Sequence, residues 1–141
     1  MPCCRQVVLR ENLRNPKIRA QYVRFERAII RAYQFTALHP DETAKLIAGV
    51  LKVSQDVVFS VLRRPGFRFD PNPNVVGAVA FYDAMKSSVP KGALGTDVRE
   101  SIDTSVYKEA LVSMIEKEPE NKFLKTAYAQ FQKTSEPGAR R

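Results

Sequence analysis

The sequence contains no tryptophan, a single histidine, His39, and two cysteines, Cys3 and Cys4, among its 141 residues. A catalytic centre built on histidine would have to use His39, which precedes Pro40 and is better explained as part of a turn between two helices. Adjacent cysteines are poorly placed for an ordinary disulfide, and no other cysteine or histidine provides the spacing of a metal site. We therefore predict that the chain is not an enzyme and has no catalytic residues, no metal site and no cofactor.

Long hydrophobic runs are also missing, since no apolar stretch approaches the roughly 20 residues that a membrane-spanning helix needs. The first six residues lack the apolar core of a secretory signal, so the chain as it stands is expected to be cytoplasmic. There is no glycine-rich phosphate loop and no low-complexity tract. Hydrophobic residues make up 44% of the chain, which is enough for one packed domain or part of one.

Acidic residues are fewer than basic residues: the chain has 15 aspartates and glutamates and 23 lysines and arginines, which gives a net charge of +8. Clustered basic residues bind nucleic acid because they displace counterions from phosphates. Here the basic residues are scattered along the chain, and part of the charge lies in residues 135–141, which we predict to be a disordered basic tail. Nucleic acid is therefore a less favoured partner than the net charge suggests.

Helix-start signals account for most of the chain. Proline fits the first position of a helix, as at Asn15-Pro16 and His39-Pro40. An asparagine or serine just before a helix can cap its free N–H groups, as Asn15 and Ser54 are placed to do. Six helices are predicted from such starts and from apolar periodicity, over 16–38, 40–51, 55–63, 73–87, 104–116 and 119–133. The β-branched residues in 6–10 predict one short strand. The fold class is thus mainly α, with about six helices and at most one or two short strands.

The organisation follows from these elements: residues 1–14 form an N-terminal segment with the short strand, and residues 15–134 form a helical domain. In the helix over 16–38, one face is apolar and is expected to be buried, namely Ile18, Tyr22, Phe25, Ile29 and Tyr33. The opposite face carries a basic stripe that we interpret as solvated, namely Lys17, Gln21, Arg24, Arg27, Arg31 and Gln34.

Residues 48–62 have a residue pattern similar to that of a DNA-reading helix-turn-helix, in which a second helix enters the major groove. The candidate DNA-binding residues in this alternative are Gln55, Ser60, Arg63 and Arg64. Apolar residues surround that second helix nearly completely, which predicts a buried helix, namely Val57, Val58, Phe59, Val61 and Leu62. Asp56 would place a negative charge where the helix start meets phosphate, and Lys52 stands where the motif favours glycine.

Six short sequence motifs, in order along the chain, resemble the C-terminal half of periplasmic substrate-binding proteins of ABC importers, the nitrate/sulfonate/taurine and thiamine-precursor group. They are V-V-L-R-E-N at 7–12, A-I-I-R-A-Y at 28–33, H-P-D-E-T-A at 39–44, V-S-Q-D-V-V at 53–58, F-Y-D-A-M-K at 81–86 and V-R-E-S-I-D-T-S at 98–105. The chain departs from the family at Ser87-Ser88, where a glycine usually ends the helix, and has no clear counterpart beyond Met114.

This resemblance implies a partial solute-binding component of an import system, taken from the helical segment of a two-lobed α/β protein. It implies a membrane permease and a small solute as partners, a sulfonate, nitrate, taurine or pyrimidine precursor, and a periplasmic location. The upstream lobe that holds most ligand contacts has no match here, so no ligand-binding residue is carried over. We expect the chain to lack ligand binding alone and to self-associate or bind the missing lobe. A helical protein-interaction module is the remaining alternative.

Overall fold

The structure is a computed structural model that describes residues 6–66, 69–90 and 97–136. Its residues group into two compact units, of which unit 1 comprises residues 1–27 and 72–141, and unit 2 comprises residues 28–71. The described residues are mainly helical and include no strand, so the mainly α fold class is confirmed. None of the helices in these ranges is long and apolar enough to cross a membrane.

Eight helices lie in the described residues: α1 (Arg10–Arg14), α2 (Pro16–Leu38), α3 (Pro40–Leu51), α4 (Gln55–Leu62), α5 (Val75–Lys86), α6 (Val98–Ser101), α7 (Ser105–Lys117) and α8 (Lys122–Ser135). The predicted caps explain two starts. The side chain of Asn15 accepts a hydrogen bond from the Lys17 amide at 3.0 Å, and Ser54 accepts one from the Val57 amide at 3.4 Å. Thr104 precedes α7 but makes no side-chain cap to it.

The short helices α1 and α6 and the segment 6–9, which forms neither helix nor strand, differ from the sequence prediction. No strand forms at 6–10, because a strand needs a neighbour to pair with and the described residues supply none. The chain instead turns helical at Arg10, which leaves Val7 94% exposed. Asp97 caps α6 by accepting a hydrogen bond from the Arg99 amide at 2.9 Å. Residues 91–96, between α5 and α6, lie outside the described ranges.

The core of unit 1 is built where α7 and α8 pack together and α5 packs against α8. Leu111, Leu124 and Phe131 are fully buried there. The ring of Phe131 lies 5.4 Å from that of Tyr107 and 6.2 Å from that of Tyr128. Leu124 and Phe131 lie on one side of α8, because their spacing of seven residues corresponds to about two turns.

Polar side chains join the first half of α2 to α7. Arg19 binds the carboxylate of Glu109 at 2.8 Å and the hydroxyl of Ser105 at 3.1 Å. Two turns further along both helices, the Arg27 guanidinium donates to the Ser113 hydroxyl at 2.9 Å. Because the partners advance in the same direction on both helices, α2 and α7 run parallel.

The buried side of α2 is not the one that the sequence predicted. Val23, Glu26 and Ile30 are buried, whereas Phe25, on the expected core face, is 52% exposed. The other predicted positions on that face, such as Ile18, are only partly covered. The helix carries apolar residues on two sides, and the contacts of Arg19 and Arg27 with α7 turn the second side inward.

A buried polar network closes unit 1 at the junction of α5 and α8. The Asn72 side-chain oxygen accepts hydrogen bonds from the Asn74 amide at 2.9 Å, the Thr134 hydroxyl at 3.2 Å and the Ser135 hydroxyl at 2.9 Å. Asn72 and Ser135 are 5% and 4% exposed. Ser135 therefore belongs to the core, and the tail predicted to begin there is wrong at its first residue. Residues 137–141 of that tail lie outside the described ranges.

An ion-pair cluster holds α6 against α5. The Arg99 guanidinium contacts the carboxylates of Asp97 at 3.0 Å and Asp83 at 2.5 Å. The hydrogen bond from the Arg99 amide, followed by its guanidinium, holds the pKa of Asp97 below its usual value. The same two carboxylates raise the pKa of Arg99.

Unit 2 consists of the second half of α2 with α3 and α4, and the last two helices pack against each other. Its buried residues are Ile30, Thr43, Ala44 and Val58. The Thr43 hydroxyl donates to the His39 carbonyl at 2.9 Å, so a polar residue is accommodated in this small core.

Candidate functional site

The candidate site is the pair α3–α4, which has the order helix, short turn, helix. α3 ends at Lys52, whose backbone adopts the left-handed conformation with φ 58° and ψ 37°. This conformation favours glycine, and it reverses the chain so that Ser54 can cap α4. Residues 52–54 are therefore the connection between two packed helices, as the helix-turn-helix hypothesis requires.

The four candidate DNA-binding residues are all exposed, but the structure does not bring them to one place. Ser60 lies in the last turn of α4, and Arg63 and Arg64 directly follow the helix. Gln55 lies at its start, where the side-chain amide donates to the Asp41 carbonyl of α3 at 3.4 Å. The Ser60 hydroxyl donates to the Val57 carbonyl at 2.8 Å, so it is engaged within its own helix.

Arg63 is held against its own helix. Its guanidinium carbon lies 3.8 Å above the centre of the Phe59 ring, a cation–π contact one turn away. Arg63 also lines a small cavity of about 240 Å³ beside Pro40, Leu62 and Phe69. That volume is below the usual range of small-ligand pockets, roughly 300–1,000 Å³.

The expectation that α4 is buried all round is wrong. Val58 is buried, but Val57 is 54% exposed and Val61 is 43% exposed. A helix in a two-helix hairpin has only one side to bury, and Val58 with the partly covered Phe59 fills that side. The apolar character of α4 is therefore not an argument against a role for its outer surface.

The basic stripe predicted on α2 is interrupted by contacts within the protein. Arg27 donates to Ser113, and Arg31 donates to the Gln34 side-chain oxygen at 2.7 Å. Lys17 and Arg24 are exposed. A continuous row of cations that could follow a phosphate backbone is not formed. The predicted solvated face is wrong at Arg27, Arg31 and Gln34, which are partly buried, and holds at Lys17, Gln21 and Arg24.

A buried carboxylate that the sequence reasoning missed lies in unit 1. Glu26 on α2 is 8% exposed, and its carboxylate accepts a hydrogen bond from the side-chain amide of Gln6 at 3.2 Å. Burial raises the pKa of Glu26, and the bond from Gln6 partly opposes this. The adjoining open groove, about 440 Å³, is mostly apolar and is lined by Gln6, Val7, Val8, Gln21, Tyr22 and Phe25. In the sequence, the burial of Glu26 is indicated only by its position three residues after Val23 and four before Ile30, which places all three on one side of the helix.

Glu26→Gln is expected to stabilise the protein near pH 7, by up to about 1 kcal/mol. The pKa of Glu26 is higher in the folded state than in the unfolded state, so between these two pKa values the native state binds more protons. The free energy of unfolding therefore falls as pH rises through that range. Urea unfolding followed by circular dichroism, repeated from about pH 4 to 8, measures the effect. The gain should vanish at the acidic end, and the exposed Glu116→Gln should give no comparable pH dependence.

No metal-binding arrangement occurs within the described ranges, where no three or more His, Cys, Asp or Glu side chains converge. His39 is exposed, with its Nδ1 atom 3.8 Å from the Glu42 carboxylate and its ring 5.0 Å from that of Phe35. This is the turn position predicted from Pro40. Cys3 and Cys4 lie outside the described residues.

Comparison of the chain with protein-family models, with curated proteins and with solved structures finds no match. Two surfaces are therefore the candidates for a functional role: the groove of unit 1, and the outer surface of α3–α4 in unit 2.

Proposed function

We propose that this chain is a partial solute-binding component of an ABC import system, working with a βα-rich lobe that carries most of the ligand site. The observation that carries the proposal is the segment 6–9, which lies in no helix or strand, has extended backbone angles at Leu9 and leaves Val7 94% and Leu9 63% exposed. In the family that the sequence resembles, this stretch is a strand that leads into the helix after Asn15-Pro16.

An extended apolar segment is suited to pairing with the edge of a sheet, since backbone hydrogen bonds then add to side-chain burial. The neighbouring part of α2 adds Phe25, which is 52% exposed beside the same groove. Burying these side chains against a lobe would contribute roughly 25 cal/mol for each Å² of apolar surface removed from water. The proposal therefore places the lobe over Val7, Leu9 and Phe25.

The solute in this proposal is a sulfonate, nitrate, taurine or pyrimidine precursor, delivered to a membrane permease in the periplasm. The open groove of unit 1 offers no complete site for such a ligand, because its polar side chains are Gln6, Gln21 and the Tyr22 hydroxyl, and none of them is a cation. An anion in a cleft needs several converging donors. Solute binding is therefore expected only when the lobe is present, and no catalytic step is involved.

The test begins with the DNA that flanks the gene, where a frame for a βα-rich half is expected beside permease and ATPase genes. Calorimetry then titrates taurine, nitrate and an aminopyrimidine into the full chain, and into the chain co-expressed with that half. No heat of binding is expected from the chain alone, and binding is expected from the pair. Val7→Asp should weaken the pair, whereas Val50→Asp, at a 78% exposed site of unit 2, should not. Solute binding by the chain alone would contradict the proposal.

A helix-turn-helix DNA-binding protein is the second candidate, favoured by the left-handed Lys52 between two packed helices and by the exposure of Arg63 and Arg64. Asp56 in the first turn of α4 opposes it, because a negative charge there repels phosphate. Gln55 is also turned toward α3. This candidate therefore ranks below the solute-binding role.

Duplex DNA is expected to bind weakly, without sequence preference, and to be released as salt rises from about 50 to about 200 mM. The reason is that exposed arginines neutralise phosphates, while α4 offers no set of converging base-reading side chains. Fluorescence anisotropy with labelled duplexes of random and fixed sequence measures this. Gln55→Ala combined with Arg63→Ala should remove no sequence preference. Tight, selective binding that these changes abolish would make the DNA-binding candidate correct.

A further inference from the structure

A small cavity of about 240 Å³ lies in unit 2, between the end of α2 and the end of α4. One wall comes from α2, where Thr36 and Ala37 lie three and four residues after Tyr33 and therefore on one side of the helix. Pro40, the first residue of α3, continues this wall. The rest of the lining is Leu62, Arg63 and Phe69. Because Arg63 and Phe69 are exposed, a ligand can reach the cavity from their side.

The lining combines an apolar wall with one positive charge. Pro40, Leu62 and Phe69 provide apolar side chains. The Thr36 hydroxyl donates to the Ala32 carbonyl at 2.8 Å, so its hydrogen is not available to a ligand. Among the described residues that line the cavity none is acidic, and the positive charge comes from Arg63.

The Arg63 guanidinium is already held in place. Its central carbon lies 3.8 Å above the centre of the Phe59 ring, so one face of the guanidinium is covered. The N–H groups point outward in the plane of the guanidinium, where stacking on a ring does not use them. Within the described ranges no carboxylate forms an ion pair with Arg63. The side chain can therefore donate two parallel hydrogen bonds to a carboxylate that arrives from outside.

We propose that this cavity binds a small aromatic carboxylate, with its ring against Leu62 and Phe69 and its carboxylate paired with Arg63. An aromatic ring is a suitable occupant because it is apolar and packs well against other rings. The carboxylate matches the planar guanidinium, which binds it in bidentate fashion. The cavity suits a ligand smaller than the drug-sized compounds that occupy pockets of roughly 300–1,000 Å³.

Other ligands would use only part of this site. A bare inorganic anion such as nitrate would leave the apolar wall without a contact, and a neutral apolar compound would leave Arg63 without one. Taurine carries an ammonium group, for which the described lining residues offer no acidic partner. The inference concerns unit 2 and does not depend on the solute-binding proposal, whose surface lies in unit 1.

Titration of benzoate into the full isotope-labelled chain, followed by amide NMR spectra, tests the site. The amide signals of residues 33–37 and 62–64 are expected to shift. A dissociation constant of about 0.3–3 mM is expected, because one ion pair and a small apolar contact give modest affinity. Benzamide has the ring without the charge, and acetate has the charge without the ring. Each should bind about five- to tenfold more weakly than benzoate.

Two pairs of variants separate the charge from the cavity. Arg63→Gln should weaken benzoate binding about five- to tenfold. Its matched control is Arg64→Gln, which removes a neighbouring exposed cation outside the lining and should leave the dissociation constant unchanged. Ala37→Leu keeps the charge but fills part of the cavity, and should weaken binding at least about tenfold. Ala28→Leu, at an exposed site on the opposite side of α2, should have no such effect.

Circular dichroism checks that each variant keeps its helices. No saturable benzoate binding up to about 20 mM, or equal weakening by Arg63→Gln and Arg64→Gln, would overturn the proposal. Equal affinities for benzoate and benzamide would also overturn it, because Arg63 would then take no part. If benzoate caused no shifts and Arg63→Gln weakened duplex-DNA binding, Arg63 would serve the DNA-binding candidate and the proposal would be wrong.

Discussion

Phe131→Ala is expected to lower the free energy of unfolding by about 3–5 kcal/mol, the usual cost of deleting a fully buried phenylalanine ring. Phe131 is 0% exposed in the core between α7 and α8. Its removal leaves a cavity beside the Tyr107 ring, whose centre lies 5.4 Å away, and the surrounding helices can relax only in part. Urea unfolding followed by helical circular dichroism measures the loss.

Phe25→Ala is the matched control for this change. Phe25 lies in the same unit but is 52% exposed on α2, so the same substitution removes little buried surface there and should cost about 1 kcal/mol or less. Equal losses for Phe131→Ala and Phe25→Ala would mean that the core of unit 1 does not lie between α7 and α8.

Asn72→Ala is expected to destabilise unit 1 by about 2–4 kcal/mol. The substitution removes the oxygen that accepts hydrogen bonds from the Asn74 amide and the Ser135 hydroxyl. Each buried donor left without a partner costs about 1–3 kcal/mol. Thr134 is affected less, because its hydroxyl also donates to the Gln130 carbonyl at 2.9 Å. Thermal and urea unfolding measure the loss.

Asn15→Ala provides the comparison, since Asn15 is an exposed helix cap and its loss should cost only about 1 kcal/mol. Ser135→Ala should cause part of the Asn72→Ala loss, and the double variant should cost less than the sum of the two, because both act in one network. Additive losses would show that the two side chains act independently.

The helices could be predicted closely from local signals. α2 and α3 occupy Pro16–Leu38 and Pro40–Leu51, the ranges that their proline starts and apolar periodicity predicted. α4 starts at Gln55 as expected after Ser54. The short helices α1 and α6 were missed, since a helix of four or five residues has too few positions to reveal a period.

The candidate site could be predicted only in part. The turn at 52–54 and the exposed cations Arg63 and Arg64 follow from the sequence, because cap and turn chemistry are local. The direction of Gln55 toward α3 depends on how the two helices pack. The exposure of Val57 and Val61 also depends on packing, since an apolar helix has no pattern that tells which side faces water.

The sequence by itself determined the helical class and the main helix limits, because these depend on composition and on neighbours a few residues away. The tertiary structure alone decided that α2 buries Val23 and Ile30 rather than Phe25, and that Asn72 and Ser135 share a buried network across 63 residues of chain. Burial depends on which distant surface meets a helix. A helix with two apolar sides leaves that choice open until the neighbouring helices fix it.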